Sequence, residues 1–151
     1  NPACHLGWGA ILPEEADTPA IGAAHVLRSA PHSPDGELAL ALDDAWHGMG
    51  IARLLLAAVM ADAATRGVRH LSLVTLADNR RAIALFTALG AEHRGYADGT
   101  ASFALSPGDA LAALRGRDPA GRHAAVIRAV AAQASAADSR PALRIVGQEA
   151  A

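Results

Sequence analysis

Residues 37–67 place the tightest constraint on the fold. Glu37-Leu38-Ala39-Leu40-Ala41-Leu42 is apolar after its first residue, Asp43-Asp44 ends it, and Gly48 and Gly50 break the next few positions. From Ile51 onward Leu54, Leu55 and Val59 recur at helical spacing among alanines, and Arg66-Gly67 suits a helix end. The stretch reads as a strand covered on both faces, a small-residue loop and a helix. His70 to Leu76 is rich in β-formers and reads as the next strand, followed by a helix from Arg80 to Leu89 with Gly90 as its stop. A chain that alternates strand, helix, strand, helix belongs to the mixed α/β class.

The flanks are simpler. His5 to Leu12 reads as a strand closed by Pro13 and Glu14-Glu15, and Ala20 to Leu27 as a second strand. Residues 29–36 (SAPHSPDG) collect structure breakers and read as a loop. Asp98-Gly99 sits between two β-prone pieces of 94–105, a hairpin signature. Beyond it, Asp109 to Leu114 reads as a short helix with Pro107 in its first turn, and 120–134 as an Ala-rich helix. Leu143-Arg144-Ile145-Val146 suits an edge strand. The expected organisation is a core over residues 1–105 and an Ala-rich, partly helical C-terminal extension over 106–151. At 151 residues one domain is expected, and with 52% hydrophobic but only 3% aromatic residues its core must be built from small aliphatics.

Charge and chemistry narrow the function classes. The chain has no lysine, so its 13 basic residues are all arginine, which excludes a Walker A loop and Schiff-base chemistry. A net charge of -2 gives no electrostatic footprint for nucleic acid or an anionic membrane. No apolar run reaches the roughly 18 residues of a membrane span. Cys4, the single cysteine, permits no internal disulfide and points to a reducing, cytoplasmic setting. The seven histidines are scattered, so no metal is expected. The start at Asn1 reads as a processed form or a fragment.

The loop from Leu42 to Arg53 carries the chemistry. Backbone N–H groups at a helix N-terminus are unsatisfied by the helix itself, and glycines let a phosphate approach them closely. Arg53, one turn in, adds a charged fork for a pyrophosphate. A dinucleotide loop fits poorly, because Arg53 stands where a third glycine is needed.

The loop resembles motif A of the GNAT-type N-acetyltransferases, Q/R-x-x-G-x-G/A, with His47 at the Gln/Arg position, Gly50 at the glycine and Ala52 at the last small position. Asn79 to Ala91 is similar to the N-x-x-A-i-x-l-Y-x-x-l-G-F motif of the same family, and Glu37–Leu42 to its splayed fourth strand. The resemblance implies a GNAT fold: a mixed, mostly antiparallel sheet flanked by helices. It also implies acetyl-CoA as cosubstrate. Leu40 and Leu42 would pair by backbone with the pantetheine arm. The loop from His47 through Gly48, Met49, Gly50, Ile51 and Ala52 to Arg53 would take the pyrophosphate, and Asn79, Arg81 and Phe86 would complete the pocket.

The reaction implied is direct acetyl transfer to an amine, with Glu37 as general base, expected to face the cleft with partial desolvation. The pattern is closest to bacterial protein lysine acetyltransferases that couple this domain to a sensor domain, so a protein lysine is the first acceptor expected. A small-amine or antibiotic acetyltransferase and a catalytically weak acetyl-CoA-binding module are the alternatives. Phe86 stands where many relatives carry a tyrosine acid; the thiolate then leaves unaided, or Tyr96 or Ser102 helps. A regulatory domain upstream of residue 1 is a further expected partner. The family's usual acceptor walls come from elements that 36 helix-free residues ahead of Glu37 do not supply.

Overall fold

The computed structural model describes residues 1, 3–11 and 20–135. Six strands form one sheet: β1 (His5–Ala10), β2 (Gly22–Leu27), β3 (Asp35–Leu42), β4 (His70–Leu76), β5 (Glu92–Ala97) and β6 (Thr100–Leu105), in the spatial order β1-β2-β3-β4-β6-β5. All neighbours are antiparallel except β3 and β4, which run parallel because α1 (Ile51–Thr65) returns the chain between them. Next come α2 (Arg80–Ala88), α3 (Pro107–Gly116) and α4 (Arg122–Ser135). The fold is the mixed α/β sheet flanked by helices that the resemblance implied.

The helices begin and end where local chemistry directs. Arg66 caps α1 and Gly67 follows at φ +80°, a left-handed conformation glycine adopts without strain. Asn79 Oδ1 accepts the Ala82 N–H at 3.1 Å and starts α2, and Ser106 accepts from the Asp109 N–H at the head of α3. Arg28, 7% exposed, donates to the carbonyls of Arg66 and Ala3, so a buried cation closes the C-terminal end of α1 and ties down the chain ahead of β1.

Packing is one-sided. Leu6, Trp8 and Ala10 of β1, Ala24 and Val26 of β2 and Leu38 of β3 face α1, whose Leu55, Leu56, Val59 and Met60 are fully buried. Burying each such side chain contributes roughly 1.5–3 kcal/mol. Leu71, Leu73, Phe103 and Leu105 continue this face and Phe86 of α2 packs on it, its ring 6.2 Å from that of Phe103. Ala110, Leu111 and Leu114 of α3 and Ile127 and Val130 of α4 join the same core against α1. Trp8 Nε1 donates to Asp62 at 3.0 Å, and Arg66 Nε holds the other oxygen of that buried carboxylate at 2.6 Å.

The opposite face is bare among the described residues. Val74 and Leu76 are 63% and 62% exposed, and Leu27, Glu37, Ala39, Ala41 and Ser72 are exposed as well. This corrects the expectation that β3 is covered on both faces. Its run is continuously apolar only because the outward positions are alanines, whose small side chains cost little in water. The loop expected over 29–36 also ends earlier, since β3 begins at Asp35, where parallel pairing with His70 captures the backbone. The turn at 13–15 and the strand expected at 143–146 lie outside the described residues.

Candidate acyl-transfer site

The parallel pairing of β3 with β4 is brief: Asp35 with His70, Gly36 with Leu71 and Glu37 with Ser72. Beyond it β3 stays on β2 as far as Leu42, while β4 stays on β6 as far as Leu76. The two strands therefore part into a V with Glu37 and Ser72 at its apex. Inside the V, β3 and β4 offer each other no ladder, so each presents backbone donors and acceptors to an extended, amide-bearing ligand.

A cleft of about 360 Å³ opens along the β3 arm of this V, lined by Leu40, Ala41 and Leu42 of β3, by Asn79, Arg81 and Leu85 of α2 and its cap, and by Asp44 and the glycine loop at its end. A short 3-10 turn (Asp44–Trp46) leads into that loop, where His47 Nε2 lies 3.1 Å from the Leu42 carbonyl and clips the loop to the end of β3. Gly48 and Gly50 hold φ of +78° and +79°, and a Cβ at either would meet no atom within 4 Å. Only glycine takes this backbone without strain, and the space a side chain would fill stays open. Gly50 caps α1 with no side-chain hydrogen bond, and the first turn carries no acidic residue. The N–H groups there remain free for an anion, and Arg81 adds a cation across the cleft. These residues fit a ligand with a pyrophosphate and a peptide-like arm.

Of the site residues expected from sequence, Leu40, Leu42, His47, Gly48, Gly50, Ile51, Ala52, Asn79 and Arg81 line this cleft together. Asn79 both caps α2 and faces the cleft. Others depart from expectation. Met49 and Arg53 line a different cavity on the far side of the loop, because successive residues entering a helix point in different directions. Phe86 is buried, 6% exposed, against Phe103, and does not line the cleft; an apolar ring on the sheet side of α2 is drawn into the core.

Glu37 stands at the apex but is exposed, so the expected partial desolvation is absent. Among the described residues no element covers that face, and its carboxylate has no hydrogen-bond or ionic partner there. Tyr96 lies on the outermost strand, 69% exposed, its ring tilted against that of His93 with centroids 4.3 Å apart, and Ser102 donates to the Gly95 carbonyl. Neither lines the cleft.

The structure adds a pair that lies beyond sequence reading. His5 Nε2 and His25 Nδ1 are 2.8 Å apart on the open face. Partial burial, and then the neighbouring His5, hold the His25 ring below its ordinary 6.5. The contact needs Gly7 between them, since a Cβ there would lie 2.9 Å from His25 Nδ1. Only the antiparallel register that sets Gly7 opposite His25 creates it. Among the described residues no three His, Cys, Asp or Glu side chains are grouped to hold a metal, and no helix is long and apolar enough to cross a membrane.

Comparison with known proteins agrees with this fold. The structure of a cAMP-binding acyltransferase from Mycobacterium smegmatis superposes with a TM-score of 0.63 at 20% identity, covering 89% of this chain and 41% of that one. The chain thus spans about two fifths of that protein's length. The ribosomal-protein-S18-alanine N-acetyltransferase of Escherichia coli matches at 0.51 and 24% identity, covering 61% and 64% of the two chains. A PaiA N-acetyltransferase from Thermoplasma acidophilum in complex with coenzyme A matches at 0.53 and 17%, covering 61% and 57%. These likenesses concern the fold. No curated protein matches. The acetyltransferase (GNAT) family model matches residues 4–91, more than half of the 151-residue chain, and the chain belongs to the GNAT acetyltransferase family.

Proposed function

We propose that this domain transfers the acetyl group of acetyl-CoA directly to an amine, with a protein lysine side chain as acceptor and Glu37 as the proton acceptor. The single observation that carries the reading is the V between β3 and β4, with a carboxylate at its apex and an uncapped helix N-terminus at its mouth. Acetyl-CoA supplies the activated thioester. The chain's own residues do the rest. Backbone groups of Leu40 and Leu42 align an extended arm, the glycine loop and Arg81 neutralise phosphate charge, and the thioester carbon is brought towards the Glu37–Ser72 apex. An attacking amine is an ammonium at neutral pH and must lose a proton, which the Glu37 carboxylate accepts directly or through water. Its exposure on the open face leaves it reachable by an acceptor arriving from that side.

Neither Tyr96 nor Ser102 lines the cleft, so the proposal has the thiolate leave without an enzymic acid, as its low basicity allows. A protein acceptor is favoured because the apex lies on an open sheet face rather than in an enclosed small-molecule pocket. The mycobacterial neighbour, described as a cAMP-binding acyltransferase, supports placing the chain near sensor-coupled lysine acetyltransferases, with a regulatory domain as partner.

The test is transfer of label from acetyl-CoA to lysine-bearing proteins and to a panel of small amines. Label on protein lysines carries the proposal, and label confined to small amines replaces its acceptor. Acetyl-CoA binding with no transfer to either would reduce the domain to a binding module.

A further inference from the structure

The glycine loop has a second cavity on its other side. It measures about 750 Å³ and lies between the first turn of α1 and the turn joining α3 to α4. Arg53 enters it from α1, Arg117 from the end of α3, and Arg122 and His123 from the start of α4. Asp118 is the only acid in its lining. That carboxylate accepts the backbone N–H groups of His123 at 2.7 Å and Ala124 at 2.8 Å. Burial alone would raise it, but these N–H bonds, the His123 ring and the Arg122 backbone outweigh burial and hold it below its ordinary value. Its charge serves the head of α4. Arg53 and Arg117, with Arg122 beside them, give the cavity a cationic lining in a chain whose net charge is -2. Arg53 and Arg117 have no acidic partner among the described residues. His123 is 6% exposed, and because its Nδ1 bonds the Leu114 carbonyl, Nε2 is the ring nitrogen left for the cavity.

The two cavities meet at Gly50, which lines both. CoA is a linear molecule with its pyrophosphate between the pantetheine arm and a 3′-phosphorylated adenosine. With the arm in the V and the pyrophosphate on the loop, the nucleoside end continues past the loop, where the second cavity offers a cationic lining. We propose that the second cavity binds a phosphate monoester, the 3′-phosphate of the cosubstrate, and that Arg117 and Arg122 supply its guanidinium forks. The inference rests on the reading given under Proposed function. It makes residues 117–123, which lie beyond the family match at 4–91, part of the donor site. It also gives that site a means to select CoA thioesters over pantetheine thioesters that carry no nucleotide.

Calorimetric titration with acetyl-CoA and acetyl-dephospho-CoA, which differ only in the 3′-phosphate, tests this. The wild-type chain should prefer acetyl-CoA by about 10-fold or more, the scale of a charge-assisted contact. Arg117→Ala should erase most of that preference while leaving the dephospho ligand's affinity within about 2-fold, which also reports an intact fold; Arg117→Lys should restore part of it. Adenosine 3′,5′-bisphosphate should compete with acetyl-CoA. Equal wild-type affinities, a preference that survives in Arg117→Ala/Arg122→Ala, or equal weakening of both ligands would overturn the assignment. Bisphosphate binding alongside acetyl-CoA would mark a separate anion site and overturn it too. In each of these cases acetyl-CoA still binds, so the functional reading stands. If the wild-type chain binds neither thioester, that reading falls and takes this inference with it.

Discussion

The two faces of the sheet have divided their tasks. On one, α1 to α4 cover a continuous layer of Leu, Val, Ala, Phe and one Trp, and the buried polar groups Asp62 and Arg28 are tied to Trp8, Arg66 and Ala3. On the other, Glu37, Val74, Leu76 and the His5–His25 pair meet solvent. The first face holds the fold together and the second carries the groups to which the proposed chemistry is assigned. The glycine loop is where they touch, because it ends a strand of the sheet and starts the helix on the covered side. Substitutions on the covered face should therefore move stability and spare chemistry, and those on the open face and the loop should do the reverse.

The largest effect is expected at the loop. Gly50→Glu forces a side chain into a left-handed backbone and puts negative charge at the head of α1, so acetyl-CoA affinity should fall by about 100-fold or more. An unaltered dissociation constant would show that the phosphates lie elsewhere. Glu37→Gln comes next, lowering turnover by roughly 10- to 1000-fold while melting temperature and acetyl-CoA affinity stay level. Unchanged turnover from pH 6 to 9 would remove the carboxylate from the reaction.

The covered face should answer in the opposite sense. Leu55→Ala, at a fully buried position, is expected to cost about 2–5 kcal/mol in denaturant unfolding with its remaining folded fraction still active. The histidine pair gives a smaller, signed effect. The unfolded His25 ring takes a proton near its ordinary 6.5, and the folded ring only at lower pH. Stability should thus be full above that value and decline as pH falls through it toward the folded value, a dependence that His25→Asn flattens. The smallest change belongs to Val74→Ser, within about 0.5 kcal/mol because the side chain is 63% exposed; a larger loss would mean that this face is covered in solution.

Local signals in the chain located most of this. The apolar period of Ile51 to Val59, the Arg66-Gly67 stop, the Asn79 cap and the Asp98-Gly99 turn each act within a few residues, and each element forms there. The cleft lining was legible for the same reason, since its loop and the start of α2 are contiguous motifs. Illegible were contacts made by register and crossing. Trp8 and Asp62 are 54 positions apart, and His5 meets His25 only through the pairing of β1 with β2. The exposure of Glu37 escaped because an apolar run cannot reveal whether anything covers its second face. Arg117 and Arg122 belong to no sequence motif, and only the fold sets them around one cavity with Arg53.

The brevity of the β3–β4 pairing has one more consequence. Past Glu37 the sheet contains an internal pair of edges, two rows of main-chain groups that no neighbouring strand among the described residues satisfies. Exposed edges invite foreign strands and aggregation, and proteins usually blunt them with charge, proline or a bulge. Leu40 and Leu42 offer no such protection. An extended donor molecule seated in the V would complete the sheet, so saturating donor should slow amide exchange along β3 and make the domain less prone to associate with itself.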